Sequence, residues 1–279
     1  WLNQRYWHRD LKITILDVGH GNAALIEFPG GRNFLLDGGG FPDIAAFDLG
    51  ARVVAPYLWG RKILTVDKLL LSHPNSDHMN GLIYIADHFK VKELWTNGEP
   101  RGTLGFRMLM NSARINRIRA PAFESLDRQL SIGGVMVRLF YPPPDFLAKL
   151  ESDRWRNTNN NSLVVQLVYK NHSFLFPGDI TSRAEAELVR ICGSQLRSTV
   201  VVVPHHGSRS SSSPMLLSAV KPEFAIVSAR DSGRGRHPHP IVVERYRNHQ
   251  CQLFNTEKQG AIRLVSDGQT LKVEPYVKE

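Results

Sequence analysis

Three times along this chain a short run of large apolar residues stops abruptly on imidazoles or carboxylates: "KLLLSHPNSDH", "FLFPGD" and "VVVVPHHGS". Apolar runs of this length suit strands buried on both faces. A loop at the mouth of such a strand can hold His and Asp side chains without consuming their ligand atoms in backbone bonds. Imidazole and carboxylate suit zinc, manganese or iron. A plainer reading fits each stretch taken alone. Asp77 or Asn75 would cap a helix beginning near Met79, and a lone Asp or His after a strand is ordinarily a turn residue. Three such stretches together point to ligands gathered from distant parts of one fold. The chemistry is then metal-assisted hydrolysis, in which a cation activates water and polarises a phosphoryl or carbonyl oxygen.

The rest of the chain supplies a frame for those strand ends. "LKITILDVGHGNAALIEF" reads as two strands around a turn that Gly19 and Gly21 permit, and "NFLLD" as a third strand stopping at Gly38. A short helix over "ARVVAPYLWG" precedes the strand "VDKLLLS". The pattern predicts a helix from Met79 to about Phe89, a strand at "KELWT" and a helix at "GFRMLMNSARIN". After the strand "VMVRLFY", three prolines and "RNTNNN" exclude regular structure. "SLVVQLVYKNHSFLFPGD" reads as a hairpin turning at Lys170-Asn171. Helices at "RAEAELVRI", "PMLLSAV" and "IVVERYRNH" then alternate with strands at "STVVVVP" and "FAIVSA", and strands close the chain near "CQLFN", "AIRLVS" and "LKVEPY". Two mixed sheets packed together and covered by helices accommodate this order, an α/β (α+β) architecture. No linker or change of composition divides the chain, so residues 1–279 read as a single domain.

Charge narrows the partners. Thirty-five Lys and Arg against 26 Asp and Glu give +9, which suits phosphate polymers or anionic lipid surfaces. The basic segments "ARINRIR", "SGRGRH" and "RYRNH" could follow a nucleic-acid backbone, and each also reads as a solvated face. Cys192 and Cys251 lie too far apart for a zinc ribbon or a disulfide framework. No long apolar span occurs. The chain begins at Trp1, which reads as a piece excised from a longer protein.

The set "LLDGG", "SHPNSDH", "PGD" and "PHHGS", in this order, resembles the metallo-β-lactamase fold superfamily. With "LDVGHGNAALIEF", "NNNSLVVQL" and "HPHP" it is similar, from about residue 11 to residue 268, to the carboxy-terminal domain of ComEC-type competence proteins. The resemblance implies a four-layer αββα sandwich. It implies metal ligands at His73, Asp77, His78, Asp179 and His205, with Asp179 bridging two ions and Asp37 bracing the metal loop. His206 would support the site or face substrate. His237 and His239 would lie over the site, contacting phosphate or acting as general acid, and Asp77 would orient or deprotonate water.

Three departures fall within the resembling motifs. Asn75 stands where a His or Asp ligand is expected. "NTNNNS" replaces an expected histidine. "DVGHGNA" places His20 and Asn22 where Gln and Asp are usual. Sorted by the two sites of the fold, the first keeps His73 and Asp179, while the second keeps Asp77, His78, Asp179 and His205. The expectation is therefore one divalent ion, Mn or Zn, rather than two, with His20 compensating if its turn faces the cleft. The resemblance also implies a nuclease-like phosphodiesterase that degrades the non-transported strand during DNA uptake. Its partners would be DNA, the membrane channel portion of the parent protein and other competence proteins. Its place would be the extracytoplasmic (periplasmic) face of the cytoplasmic membrane. A catalytically degenerate DNA-binding or gating domain, and a soluble hydrolase of small phosphodiesters, are the competing readings.

Overall fold

The computed structural model describes residues 8–43, 47–99, 102–230 and 237–277. Fourteen strands among these residues form two seven-stranded mixed sheets. The first sheet contains β1 (Leu11–Ile15), β2 (Ala24–Glu27), β3 (Asn33–Leu36), β4 (Thr65–Leu70) and β5 (Lys90–Trp95). The second is built from β6 (Gln129–Ile132), β7 (Val135–Tyr141), β8 (Val164–Tyr169), β9 (His172–Phe176), β10 (Val200–Val202), β11 (Phe224–Val227) and β12 (Gln252–Asn255). β13 (Ile262–Ser266) and β14 (Leu271–Pro275) return to the first sheet beside β1, giving the order β14-β13-β1-β2-β3-β4-β5. The second sheet runs in plain reverse sequence order, β12 to β6.

Alternation along the strands explains the layers. Phe34 and Leu36 of β3, Leu70 of β4, Phe174 and Phe176 of β9, and Val200 and Val202 of β10 all join one core between the sheets. Their neighbours Leu35, Leu69 and Leu71 face the other way, against α1 (Ala55–Gly60), α2 (Ser76–His88) and α3 (Leu104–Ile115). On the far side Leu175, Val201 and Val203 meet α4 (Ser182–Cys192), α5 (Pro214–Val220) and α6 (Pro240–Asn248). A short α7 (Thr256–Gln259) follows β12. The result is the expected αββα sandwich.

The Lys170-Asn171 turn falls where expected: Tyr169 pairs with His172, and Lys170 takes φ 52°. α2 starts three residues earlier than the pattern predicts, at Ser76, and so carries Asp77 and His78 in its first turn. β6 was not expected, because its exposed positions dilute the apolar alternation.

Candidate metal centre

Strands β3, β4, β9, β10 and β11 all end at one edge of the sandwich. Their following loops bring the site together. Asp37, directly after β3, sits at φ 58° and is fully buried. Its Oδ1 accepts the Ser72 backbone N–H at 2.7 Å, and its Oδ2 accepts the Ser72 hydroxyl at 2.7 Å. The same Oδ2 lies 2.8 Å from His78 Nδ1. That bond assigns one proton to Nδ1 and turns Nε2 inward, the orientation that an outer carboxylate gives a metal-binding histidine. His206 is fixed in the same way, with Nδ1 2.8 Å from the Ser228 carbonyl.

Between these two inward nitrogens lie two carboxylates. Asp179 approaches His78 Nε2 at 3.2 Å and His206 Nε2 at 3.4 Å. Asp77 lies 3.4 Å from His206 Nε2 and 3.9 Å from His78 Nε2. The two Nε2 atoms face each other at 3.2 Å. Asp77, His78, Asp179 and His206 thus offer one ligand atom each, all within 4.8 Å of one another.

This donor set fits a cation. Tetrahedral bonds of about 2.0–2.2 Å place ligand atoms roughly 3.3–3.6 Å apart, close to the spacings observed. Asp179 Oδ1 is buried without an aligned hydrogen bond. Burial opposes charge on His78 and His206, but Asp179 chiefly outweighs it. His78 is held well above the ordinary imidazole range, and His206 is pushed up to about 9. Burial likewise opposes the charge on Asp77 and Asp179, yet the facing imidazoles hold both carboxyls well below their usual range. The two imidazoles thus favour their charged forms against the carboxylates where a divalent ion would sit, and binding one there would release protons.

His73 lies on the other side of Asp179 and is fully buried. The Ser72 hydroxyl donates to Asp37, so its oxygen accepts from His73 Nδ1–H at 3.0 Å. His73 Nε2 is left without a hydrogen bond, 3.8 Å from Asp179 Oδ2. Burial, then the charge on His78, lowers this imidazole to about 3, so it stays neutral. Asn75 occupies the N-cap position of α2 but makes no side-chain cap. Its Nδ2 instead donates to Asn159 Oδ1 at 2.8 Å, and Asn159 Nδ2 lies 3.1 Å from His205 Nε2. Asn159 belongs to the segment that replaces the expected histidine.

One expectation is corrected here. His206, not His205, joins the cluster; His205 is only half-buried and turned to Asn159. Both residues take left-handed backbone, φ 52° and 54°. That turn breaks the strand alternation, so counting outward from Val203 could not choose between them. His239 stands at the start of α6, where its Nδ1 accepts the Ile241 N–H at 3.2 Å and caps the helix.

His20 does face the cleft. Its ring lies 4.4 Å from that of His206 and 5.2 Å from that of His237. It stands outside the four-ligand group. Burial and then His206 lower it to about 4. Its turn is pinned from two sides: Asn22 N–H donates to the Asp77 carbonyl at 3.2 Å, and the Ser228 hydroxyl donates to the Gly21 carbonyl at 2.6 Å. A Cβ on Gly21 would lie 2.2 Å from the Asp77 carbonyl oxygen, so only glycine fits. The anchoring roles of Ser72 and Ser228 had no signal in the sequence, since a serine after a strand is commonplace. Most of "SGRGRH" lies outside the described residues.

Comparison with known proteins points the same way as this geometry. Residues 16–147 match the model of the metallo-beta-lactamase superfamily. Just under half of the chain thus matches a metallo-β-lactamase domain. Over 90% of its length the chain is 26% identical to ComE operon protein 3 of Bacillus subtilis and 30% identical to competence protein ComA of Neisseria gonorrhoeae. It covers 32% of each, so it spans about a third of the curated relatives it matches. Among solved structures, the metallo hydrolase Igni18 of Ignicoccus hospitalis superposes with a TM-score of 0.55 at 12% identity, over 90% of this chain and 98% of that one. That likeness extends the fold beyond the matched residues.

Proposed function

We propose that the chain is a metal-dependent phosphodiesterase acting on DNA, the nuclease-like domain of a ComEC-type uptake protein. The observation that carries this reading is the convergence of Asp77, His78, Asp179 and His206, with both histidines anchored from behind. These four residues would hold one divalent ion, Mn or Zn. When bound, the ion would supply a water of lowered pKa and neutralise charge on a phosphoryl oxygen.

The chain's own groups divide the remaining work. Asp179, His78 and His206 are buried, whereas the Asp77 side chain is 25% exposed. Asp77 is therefore the ionised carboxylate that an incoming water meets, placed to orient it and take its proton. His20 and His237 stand in ring contact beside His206. Their N–H groups suit the non-bridging oxygens of a phosphodiester. His237 also borders an open groove of about 740 Å³ with Arg247, Asn248 and Lys258, where a strand could lie. No helix among the described residues is long and apolar enough to cross a membrane. In this proposal the channel portion of a longer parent protein holds the domain at the extracytoplasmic face, with other competence proteins delivering DNA.

A degenerate DNA-binding or gating domain is the second reading, and one observation favours it: Asn75 is turned away from the cluster and spent on Asn159. The test is cleavage of single- and double-stranded DNA with Mn²⁺, with and without chelator, for wild type and Asp77→Ala, alongside metal content. Chelator-sensitive cleavage that Asp77→Ala lowers by about 10²–10⁴-fold supports the enzyme. An Asp77→Ala protein as active as wild type removes the site, and binding without cleavage leaves the second reading. Two tightly held ions per chain would refute the single-ion assignment.

A further inference from the structure

α3 packs on α2 with Leu109, Ser112 and Ala113 and leaves a continuous stripe in solvent. Leu104, Met108 and Ile115 on that stripe are 66%, 37% and 63% exposed. Arg107 and Arg114 are interleaved with them at helical spacing and are also exposed. Beside the start of α3 lies a second apolar group. Phe41 and Phe47, 39% and 41% exposed, meet edge to face at 6.0 Å, and the Arg52 guanidinium lies 5.1 Å over the Phe47 ring. Asn80 joins the two groups. Its Nδ2 donates to the Phe41 carbonyl at 2.6 Å, and a Cβ on Gly105 would lie 2.6 Å from its Oδ1. Single exposed apolar residues need no explanation, but five on adjoining segments do.

We infer that this patch docks the chain on an anionic lipid surface. Apolar side chains alternating with arginines match the boundary between headgroup and acyl chain: the apolar groups enter it while the guanidinium groups meet lipid phosphates. None of Arg52, Arg107 and Arg114 is ion-paired with a carboxylate among the described residues, so their charge is available. A polynucleotide would satisfy the arginines equally well but would leave Leu104, Met108 and Ile115 in water. Lipid accounts for both. Asn80 is three residues along α2 from Asp77, so docking through this patch would hold the cleft close to the membrane surface. The inference stands apart from the hydrolytic reading, because vesicle binding needs no metal and no cleavage.

The test is sedimentation of the 279-residue chain with phosphatidylcholine vesicles, with and without about one-third phosphatidylglycerol, at low salt and in the presence of chelator. The chain is expected to bind the anionic vesicles and to leave the neutral ones largely free. Arg107→Gln and Arg114→Gln should each weaken partitioning by about fivefold. Leu104→Asn/Met108→Asn/Ile115→Asn, which keeps the charge, should weaken it by at least about tenfold. Arg183→Gln/Arg190→Gln on α4, in the opposite helical layer, should bind as wild type does. Circular dichroism of each variant separates a folding defect from a docking defect. Anionic binding that survives the triple asparagine variant would overturn the inference in favour of diffuse attraction by the +9 charge. Absence of binding to either vesicle would overturn it as well. So would loss of single-stranded oligonucleotide binding in these variants with vesicle binding unchanged, which would assign the patch to nucleic acid.

Discussion

The two sides of Asp179 are built from the same loops yet prepared for different occupants. On one side His78 and His206 are each fixed from behind, by Asp37 and by the Ser228 carbonyl, and turn Nε2 toward Asp77 and Asp179. On the other side His73 Nε2 and His205 Nδ1 are each left without a hydrogen bond. Asn75, Asn159 and His205 Nε2 are joined by hydrogen bonds in a neutral chain of amides and imidazole. A cation site needs ligands whose remaining hydrogen bonds are spent behind them, not on each other. By that criterion the first side is the candidate site, and the second is tied up in hydrogen bonds of its own. A motif that looks continuous along "SHPNSDH" is thus divided in space between the two.

The sharpest way to break the comparison is to remove one histidine from each side. His206→Ala deletes a ligand and leaves two carboxylates facing His78, so Mn²⁺ affinity should fall by more than the roughly 10–100-fold typical of losing an outer partner. His205→Ala should leave it within about threefold, because the lost partner is Asn159 alone. Isothermal titration of both variants decides. Equal losses would mean that both sides hold metal.

Protonation offers the next test. His206 titrates near 9 and His78 well above its ordinary range, so a cation must displace their protons at neutral pH. Metal affinity should therefore rise by about tenfold per pH unit, for each proton released, between pH 7 and 8. The sign for the metal-free chain is opposite. A raised imidazole pKa stabilises the fold fully below about 6.5 and loses that contribution as pH rises through about 9. The gain in Tm on adding Mn²⁺ should be larger at pH 9 than at pH 6.5. A pH-independent affinity would show that the imidazoles are already neutral.

A smaller effect is expected from opening the second side. Asn75→Asp places a charge beside Asn159, on the loop that also carries His73. A second Mn²⁺ should then bind, at least about tenfold more weakly than the first, since one nitrogen and two carboxylates still leave the set incomplete. Metal counting by mass spectrometry under native conditions reads this directly. An unchanged count of one would mean that His205 and Asn159, not the missing charge, close this side.

Much of this was legible in advance, for identifiable reasons. Buried strands such as Phe174–Phe176 and Val200–Val203 show as unbroken apolar runs because both faces are covered, and the polar residues that end them stand out. Asp77, His78 and Asp179 follow from that contrast. What stayed hidden depends on turn geometry. Consecutive left-handed residues at His205 and His206 reverse which imidazole points inward, and no periodicity survives such a turn. The Asn75–Asn159 bond joins residues 84 apart. Sequence marks both as departures from the resembling motif without indicating that each compensates the other.

The smallest expected effect concerns His239, which a resemblance places over the site and whose Nδ1 caps α6. The loop carries two histidines two residues apart, and only His237 reaches the ring of His20. His239 accepts from the Ile241 N–H, satisfying one of the free donors at the start of α6. His239→Ala should cost about 1 kcal/mol, which for a chain of this size lowers Tm by roughly 2–4 °C. His239→Asn, which caps a helix well, should restore the loss. DNA cleavage by either variant should stay within about twofold of wild type. A selective fall in rate for both variants, with Tm of His239→Asn intact, would move the imidazole from the helix to the chemistry, because asparagine can replace its hydrogen bond but not its proton.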